Sequence, residues 1–183
     1  YTEDSLDALR AWAREPKVVA IGEIGLDYYW EQNPPRELQQ RVLRDQLALA
    51  QELDLPVSVH DREAHAEMYE LLRQYRPRGV LHCYSGSAED AAWLTAQGMA
   101  LGFGGAVTYK GAKRAAKVLA MVPHELAVLE TDCPYMSPEP VRGTRNDSRN
   151  IAHVAAKIGE IWQMDAQSVL DLTAENAKRI FNQ

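Results

Sequence analysis

Four short apolar runs in this chain each stop on a side chain that binds metals. They are Val18–Glu23 (VVAIGE), Pro56–His60 (PVSVH), Val80–His82 (VLH) and Ala127–Asp132 (AVLETD). Strands are predicted at Val18–Ile21, Val57–His60, Gly79–His82, Met99–Phe103 and Ala127–Glu130. Segments of helical length separate them. Glu37–Leu53 repeats Leu38, Val42, Leu49 and Leu53 near a 3.6 period, with Leu43, Leu47 and Ala50 beside that stripe. Glu63–Tyr75 repeats the pattern, and Ser87–Gln97 opens on a Ser87/Asp90 capping box with Gly98 suited to its far end. A further helix is predicted over Gly111–Val122, ending before Pro123. The C-terminal part reads as helices over Asn150–Trp162, Ala166–Leu172 after Asp165, and Ala174–Phe181 capped by Thr173. Strict alternation implies parallel strands joined by right-handed crossovers. Polar residues at the C-terminal strand ends of such folds converge on the face that carries active sites.

Composition removes several classes. No apolar stretch approaches the 18 residues of a membrane span. No charged-then-apolar leader opens the chain, and Cys83 and Cys133 lack metal-finger spacing, which reads as a reduced, cytoplasmic protein. The net charge of −6 argues against a general nucleic-acid coat protein. The charge is uneven, however. Lys110, Lys113, Arg114 and Lys117 fall in one segment without an acid, and Arg142, Arg145 and Arg149 in another with only Asp147. Both follow predicted strands, which points to a phosphate-bearing substrate, although each residue alone also reads as solvated surface. There is no Walker loop and no G-x-G-x-x-G after a strand, so nucleotide binding of the Rossmann type is disfavoured.

Two carboxylates and two imidazoles at strand ends are a ligand set for Zn, Mn, Fe or similar dications. Glu23 stands between glycines in IGEIGLDYY, which leaves room for backbone or ligand to approach. Asp27 either hydrogen-bonds a ligand or caps a turn. Asp132 is the natural residue to bind metal and take a proton from attacking water; its alternative is a turn before Pro134. His65, at the start of a helix, reads as surface or as support for a ligand, and His124 and His153 read as structural. Tyr84, Tyr109 and Tyr135 are placed to stack bases or to pack.

The segments IGEIGLDYY, PVSVHDREA, LHCYSGS, ETDCPYMSP, RGTRN and TAENAKRIF, in this order across almost the whole chain, resemble the TatD family of metal-dependent hydrolases and deoxyribonucleases. The resemblance implies a TIM-type (β/α)8 barrel in a single domain over residues 1–183. It implies two divalent metal ions (Mg, Mn or Zn), with Glu23 bridging both, His60 and His82 on one, and Asp132 on the other. Glu23 and Asp132 are then the catalytic pair, Arg145, Lys110 and Tyr84 the substrate contacts, and Asp27 and Asn146 supporting residues. The implied reaction is 3′–5′ exonucleolytic cleavage of single-stranded DNA. Two features depart from the family. Its N-terminal His-x-His pair is absent, and with about 250 residues usual for a full barrel this reads as five β/α units lacking roughly the first three. The family's Asn-Glu-Pro appears as Asn146–Asp147–Ser148. The competing readings are a metal-dependent amidohydrolase or esterase on a small molecule, and an incomplete piece that binds only metal or a partner through open barrel edges. No obligate protein partner and no membrane are expected.

Overall fold

The apolar runs are strands and the amphipathic segments between them are helices. The computed structural model describes residues 1–182. In chain order the elements are α1 (Glu3–Trp12), β1 (Ile21–Asp27), α2 (Arg36–Glu52), β2 (Val57–Arg62), α3 (His65–Tyr75), β3 (Gly79–Leu81), α4 (Ala88–Ala96), β4 (Ala100–Phe103), α5 (Lys113–Leu119), β5 (Ala127–Leu129), α6 (Ile151–Trp162) and α7 (Ala166–Ile180), with short 3₁₀ turns at Gly105–Thr108, His124–Leu126 and Ser148–Asn150. Two compact units are formed. One spans Tyr1–Leu81 with the residues from Ile180 onward, the other His82–Arg179. Among the described residues no helix is long and apolar enough to cross a membrane.

In the first unit β1 pairs with β2 and β2 with β3, all parallel. Ile24, Leu26, Val57 and Val59 are buried, together with Met68, Leu71 and Leu72 of α3. The residues of α2 that enter this core are Leu43, Leu47, Leu49 and Ala50. Val42 and Leu38 are only half-buried, so of the stripe expected from the sequence Leu49 enters the core fully, and the residues beside that stripe supply the rest. In the second unit β4 and β5 are parallel, with Leu101 opposite Ala127. Buried Phe103, Leu94, Leu119, Ile158 and Val169 fill its core. The Trp162 indole donates to the Leu119 carbonyl at 2.8 Å, and Asn176 donates to the carbonyls of His124 and Ala127, tying α7 to the start of β5.

Three expectations are corrected. Strand β1 begins at Ile21, not Val18, because ladder pairing starts only where Pro56 and Val57 supply partners. Residues 166–180 form one helix rather than two. Thr173 does not cap a second helix. Its hydroxyl donates back to the Val169 carbonyl at 2.8 Å, the in-helix alternative open to threonine. Finally α5 starts at Lys113, since Gly111 has φ +89 and breaks the helix before it. The Ser87 cap is present as expected: its oxygen accepts from the Asp90 amide at 3.0 Å.

Candidate metal centre

Glu23 owes its position to a bulge. Ile21 pairs with Val57 and Ile24 with Val59, so three steps on β1 match two on β2. Both isoleucines stay in the core, and the extra residue turns Glu23 out of it. Glu23 is therefore the third residue of a seven-residue strand, not a strand end. The flanking glycines serve the approach of β2. A Cβ on Gly22 would sit 2.8 Å from the Ser58 Cβ, and one on Gly25 would sit 2.0 Å from the His60 carbonyl oxygen. This close approach sets His60 opposite Gly25. The His60 Nδ1 lies 3.0 Å from Glu23 Oε1, and Nε2 lies 3.6 Å from Asp27 Oδ2.

Asp27 is held from two sides. Its Oδ1 accepts from the Tyr29 amide at 2.9 Å. Gln39, on α2, accepts from the Asp27 amide and donates to the Asp27 carbonyl. Sequence reasoning passed over Gln39; a glutamine one turn into an amphipathic helix carries no distinguishing mark. Of the two roles the sequence left open, the turn cap is present at Tyr29, while the other Asp27 oxygen stands 3.6 Å from His60 Nε2, beyond hydrogen-bond length.

Asp61 alternates to the opposite face of β2 from His60. Its side chain is only 4% exposed, and Oδ2 lies 2.6 Å from His65 Nδ1. Its other oxygen is buried without a hydrogen-bond partner. Burial pushes the Asp61 carboxyl above its ordinary pKa, and the His65 hydrogen bond opposes that shift. The His65 ring also stacks on Tyr69. His65 therefore braces the strand that carries His60 rather than sharing its ligand face.

In the second unit, His82 Nδ1 lies 3.6 Å from Glu130 Oε2. Glu130 is mostly enclosed, and its Oε1 is buried without a hydrogen-bond partner. Gly102 makes the space: a Cβ there would lie 2.7 Å from Glu130 Oε2. Glu130 has the position of a carboxylate that orients a ligating imidazole. The sequence displayed it only as the first residue of ETD.

Asp132 stands three residues beyond β5, exposed, with φ +50. Asn146, which is buried, spans its loop. The Asn146 amide group donates to the carbonyls of Thr131 and Tyr135 at 2.8 and 2.7 Å, and its oxygen accepts from Asp147 N and Asn150 Nδ2. Asp147 is paired with Arg149 at 2.8 Å, and that hydrogen bond holds its carboxyl below the usual range. Arg145 and Lys110 are exposed. Tyr84 is buried and its hydroxyl donates to the Ser87 carbonyl at 2.6 Å, a packing position. Tyr109 carries the Arg142 guanidinium 4.0 Å above its ring.

In the first unit Glu23 and His60 bring a carboxylate oxygen and an imidazole nitrogen within 3.0 Å of each other, and in the second His82, which directly follows β3, stands beside the Glu130 carboxylate. Carboxylates and imidazoles paired in this way are the donor set for a dication of the Zn or Mn kind. The enclosed Glu130 with an unpartnered oxygen supports the fit, because a cation on His82 would offset that buried negative charge.

The family model described as TatD related DNase matches residues 1–182. An uncharacterized metal-dependent hydrolase of Bacillus subtilis, YabD, is 39% identical, over 98% of this chain and 71% of its own. A protein of Citrobacter koseri described as the 3′-5′ ssDNA/RNA exonuclease TatD is 34% identical, over 99% of this chain and 72% of its own. The crystal structure of the Escherichia coli TatD homologue YjjV superposes with a TM-score of 0.91 at 35% identity, covering this whole chain and 72% of that one.

Proposed function

Because the chain belongs to the TatD family and is therefore a metal-dependent hydrolase, we propose that its substrate is single-stranded DNA, cleaved at phosphodiester bonds from the 3′ end. One observation in the chain itself carries the phosphodiester reading. Arg145 immediately precedes Asn146, whose side chain clamps both flanks of Asp132. The exposed Arg145 is thereby anchored, through its neighbour's side chain, to the same loop as the carboxylate proposed to handle the proton. An uncharged ester or amide would not need that cation.

In this reading, as the family resemblance implies, Glu23, His60 and His82 would hold one dication and Asp132 with Glu23 would hold a second. Such ions polarise phosphoryl oxygens and lower the pKa of water. The remaining work falls to the protein. Asp27 and Glu130 hold the imidazoles of His60 and His82 in orientation. Asn146 keeps the Asp132 carboxylate presented on its loop, where it accepts the proton of attacking water. Arg145 takes a non-bridging phosphate oxygen.

The test uses purified protein with Mg, Mn or Zn and a single-stranded DNA oligonucleotide labelled at either end. Stepwise loss of 3′ nucleotides, abolished by a chelator, is expected. Turnover of esters or amides without phosphodiester cleavage would overturn the reading in favour of a small-molecule hydrolase.

A further inference from the structure

Beyond the metal ligands, the rim of the first unit carries a cluster that the reaction as described does not use. The β1–β2 ladder ends with Asp27 opposite Arg62, and the Tyr28 amide then donates to the Arg62 carbonyl at 2.9 Å. The chain leaving β1 therefore runs past Arg62. The Arg62 guanidinium lies 4.0 Å from the Tyr29 ring centre and 5.4 Å from that of Trp30. The two rings meet edge to face at 4.8 Å. Among the described residues Arg62 makes no ion pair, although it is exposed and acids are plentiful in this chain.

Tyr29 and Trp30 are 52% and 47% exposed. Two large aromatic side chains left side by side in water form a small apolar patch that core packing does not explain. The patch is tied to the site through its backbone, because the Asp27 carboxylate that accepts from the Tyr29 amide also faces His60 Nε2. The same loop continues to Asn33 and Pro34, which line an open cavity of about 490 Å³ together with Glu23, Asp27 and His60. A cavity of that size is in the range that holds a small ligand.

We propose that Tyr29, Trp30 and Arg62 form a nucleotide clamp at the edge of the candidate metal centre. An arginine stacked on a ring still directs its edge N–H groups outward, where they match a phosphate. An exposed indole is a platform for a nucleobase. The occupant is a nucleotide of a single strand, its phosphate on Arg62 and its base on Trp30. The proposal rests on the single-strand phosphodiesterase reading and adds what recognises the base.

Two oligonucleotides separate the two claims, one intact and one with abasic 3′-terminal nucleotides. Wild-type protein is expected to favour the intact strand by about 10-fold in kcat/KM, the scale of one stacked base. In Trp30→Ala that ratio falls to about 1, while Trp30→Phe keeps most of it. Arg62→Ala lowers the salt slope of oligonucleotide binding by about one unit, and Arg62→Lys restores the slope. Binding is read by fluorescence anisotropy, and thermal melts of each variant confirm that it is folded. An intact-over-abasic preference unchanged in Trp30→Ala would overturn the clamp and leave the phosphodiesterase reading standing. Wild-type cleavage of neither strand would remove both.

Discussion

The His60 imidazole reaches Glu23 at 3.0 Å across a bulge in β1, although the two residues stand 37 apart in sequence. The bulge decides this contact. Without the extra residue, either Ile21 or Ile24 would leave the core, or Glu23 would enter it. Glu23→Gln is expected to weaken binding of the first metal by more than about 100-fold, since loss of even an outer partner costs about 10- to 100-fold. It is also expected to lower kcat by about 10²- to 10⁴-fold, the size of effect of losing a positioned catalytic group. Competition with a chromophoric chelator measures the first and oligonucleotide turnover the second. Metal affinity equal to wild type would take Glu23 out of the site.

Glu130 should act through His82. Glu130→Gln keeps the shape but removes the charge, and about 10- to 100-fold loss of metal affinity is expected. Gly102→Ala should do similar damage by a different route, since its Cβ would meet Glu130 Oε2 at 2.7 Å. Overpacking there is expected to cost about 1–3 kcal/mol in urea denaturation. A Glu130→Gln protein that binds metal like wild type would show that the carboxylate only fills space.

Asn146 should matter through the carbonyls it holds. Asn146→Ala leaves the part-buried Thr131 and Tyr135 carbonyls without their donor, at about 1 kcal/mol for each hydrogen bond lost. Asn146→Asp keeps the acceptor and loses both donors, so it should be as harmful as alanine. Stability is followed by urea denaturation and cleavage by oligonucleotide turnover. A fully active Asn146→Asp variant would show that the Asp132 loop holds itself.

Arg145→Ala is expected to weaken binding of single-stranded DNA and reduce the log–log salt slope by about one unit, with metal content unchanged. Anisotropy titrations from low to moderate salt measure it. An unchanged slope would place Arg145 away from the phosphates.

Ser87→Ala removes the oxygen that accepts from the Asp90 amide. A loss of about 1 kcal/mol is expected on urea denaturation. No loss would mean that the start of α4 is held by packing alone.

The alternation and the family were legible, and the ligand candidates nameable, because each rests on local pattern. An apolar run followed by Glu, His or Asp is visible in a line of text, as is the Ser87 cap. Thr173 shows the limit of that kind of reading. Its residue type suits a cap as well as a bond to the carbonyl four residues back, and only packing of the whole of α7 chooses between them. The bulge at Glu23 is likewise invisible in IGEIGLDYY, because it is a mismatch between two strands and needs both of them. Gln39, Asp61 and Glu130 are ordinary polar residues in sequence. They gain their roles only when crossovers bring α2 to β1, α3 to β2 and β5 to β4. Sequence alone determined the order of strands and helices, the family, and which residues are candidates to bind a metal. The tertiary structure decided which carboxylates stand behind the imidazoles, because hydrogen-bonding neighbours are set by distance in space and not along the chain.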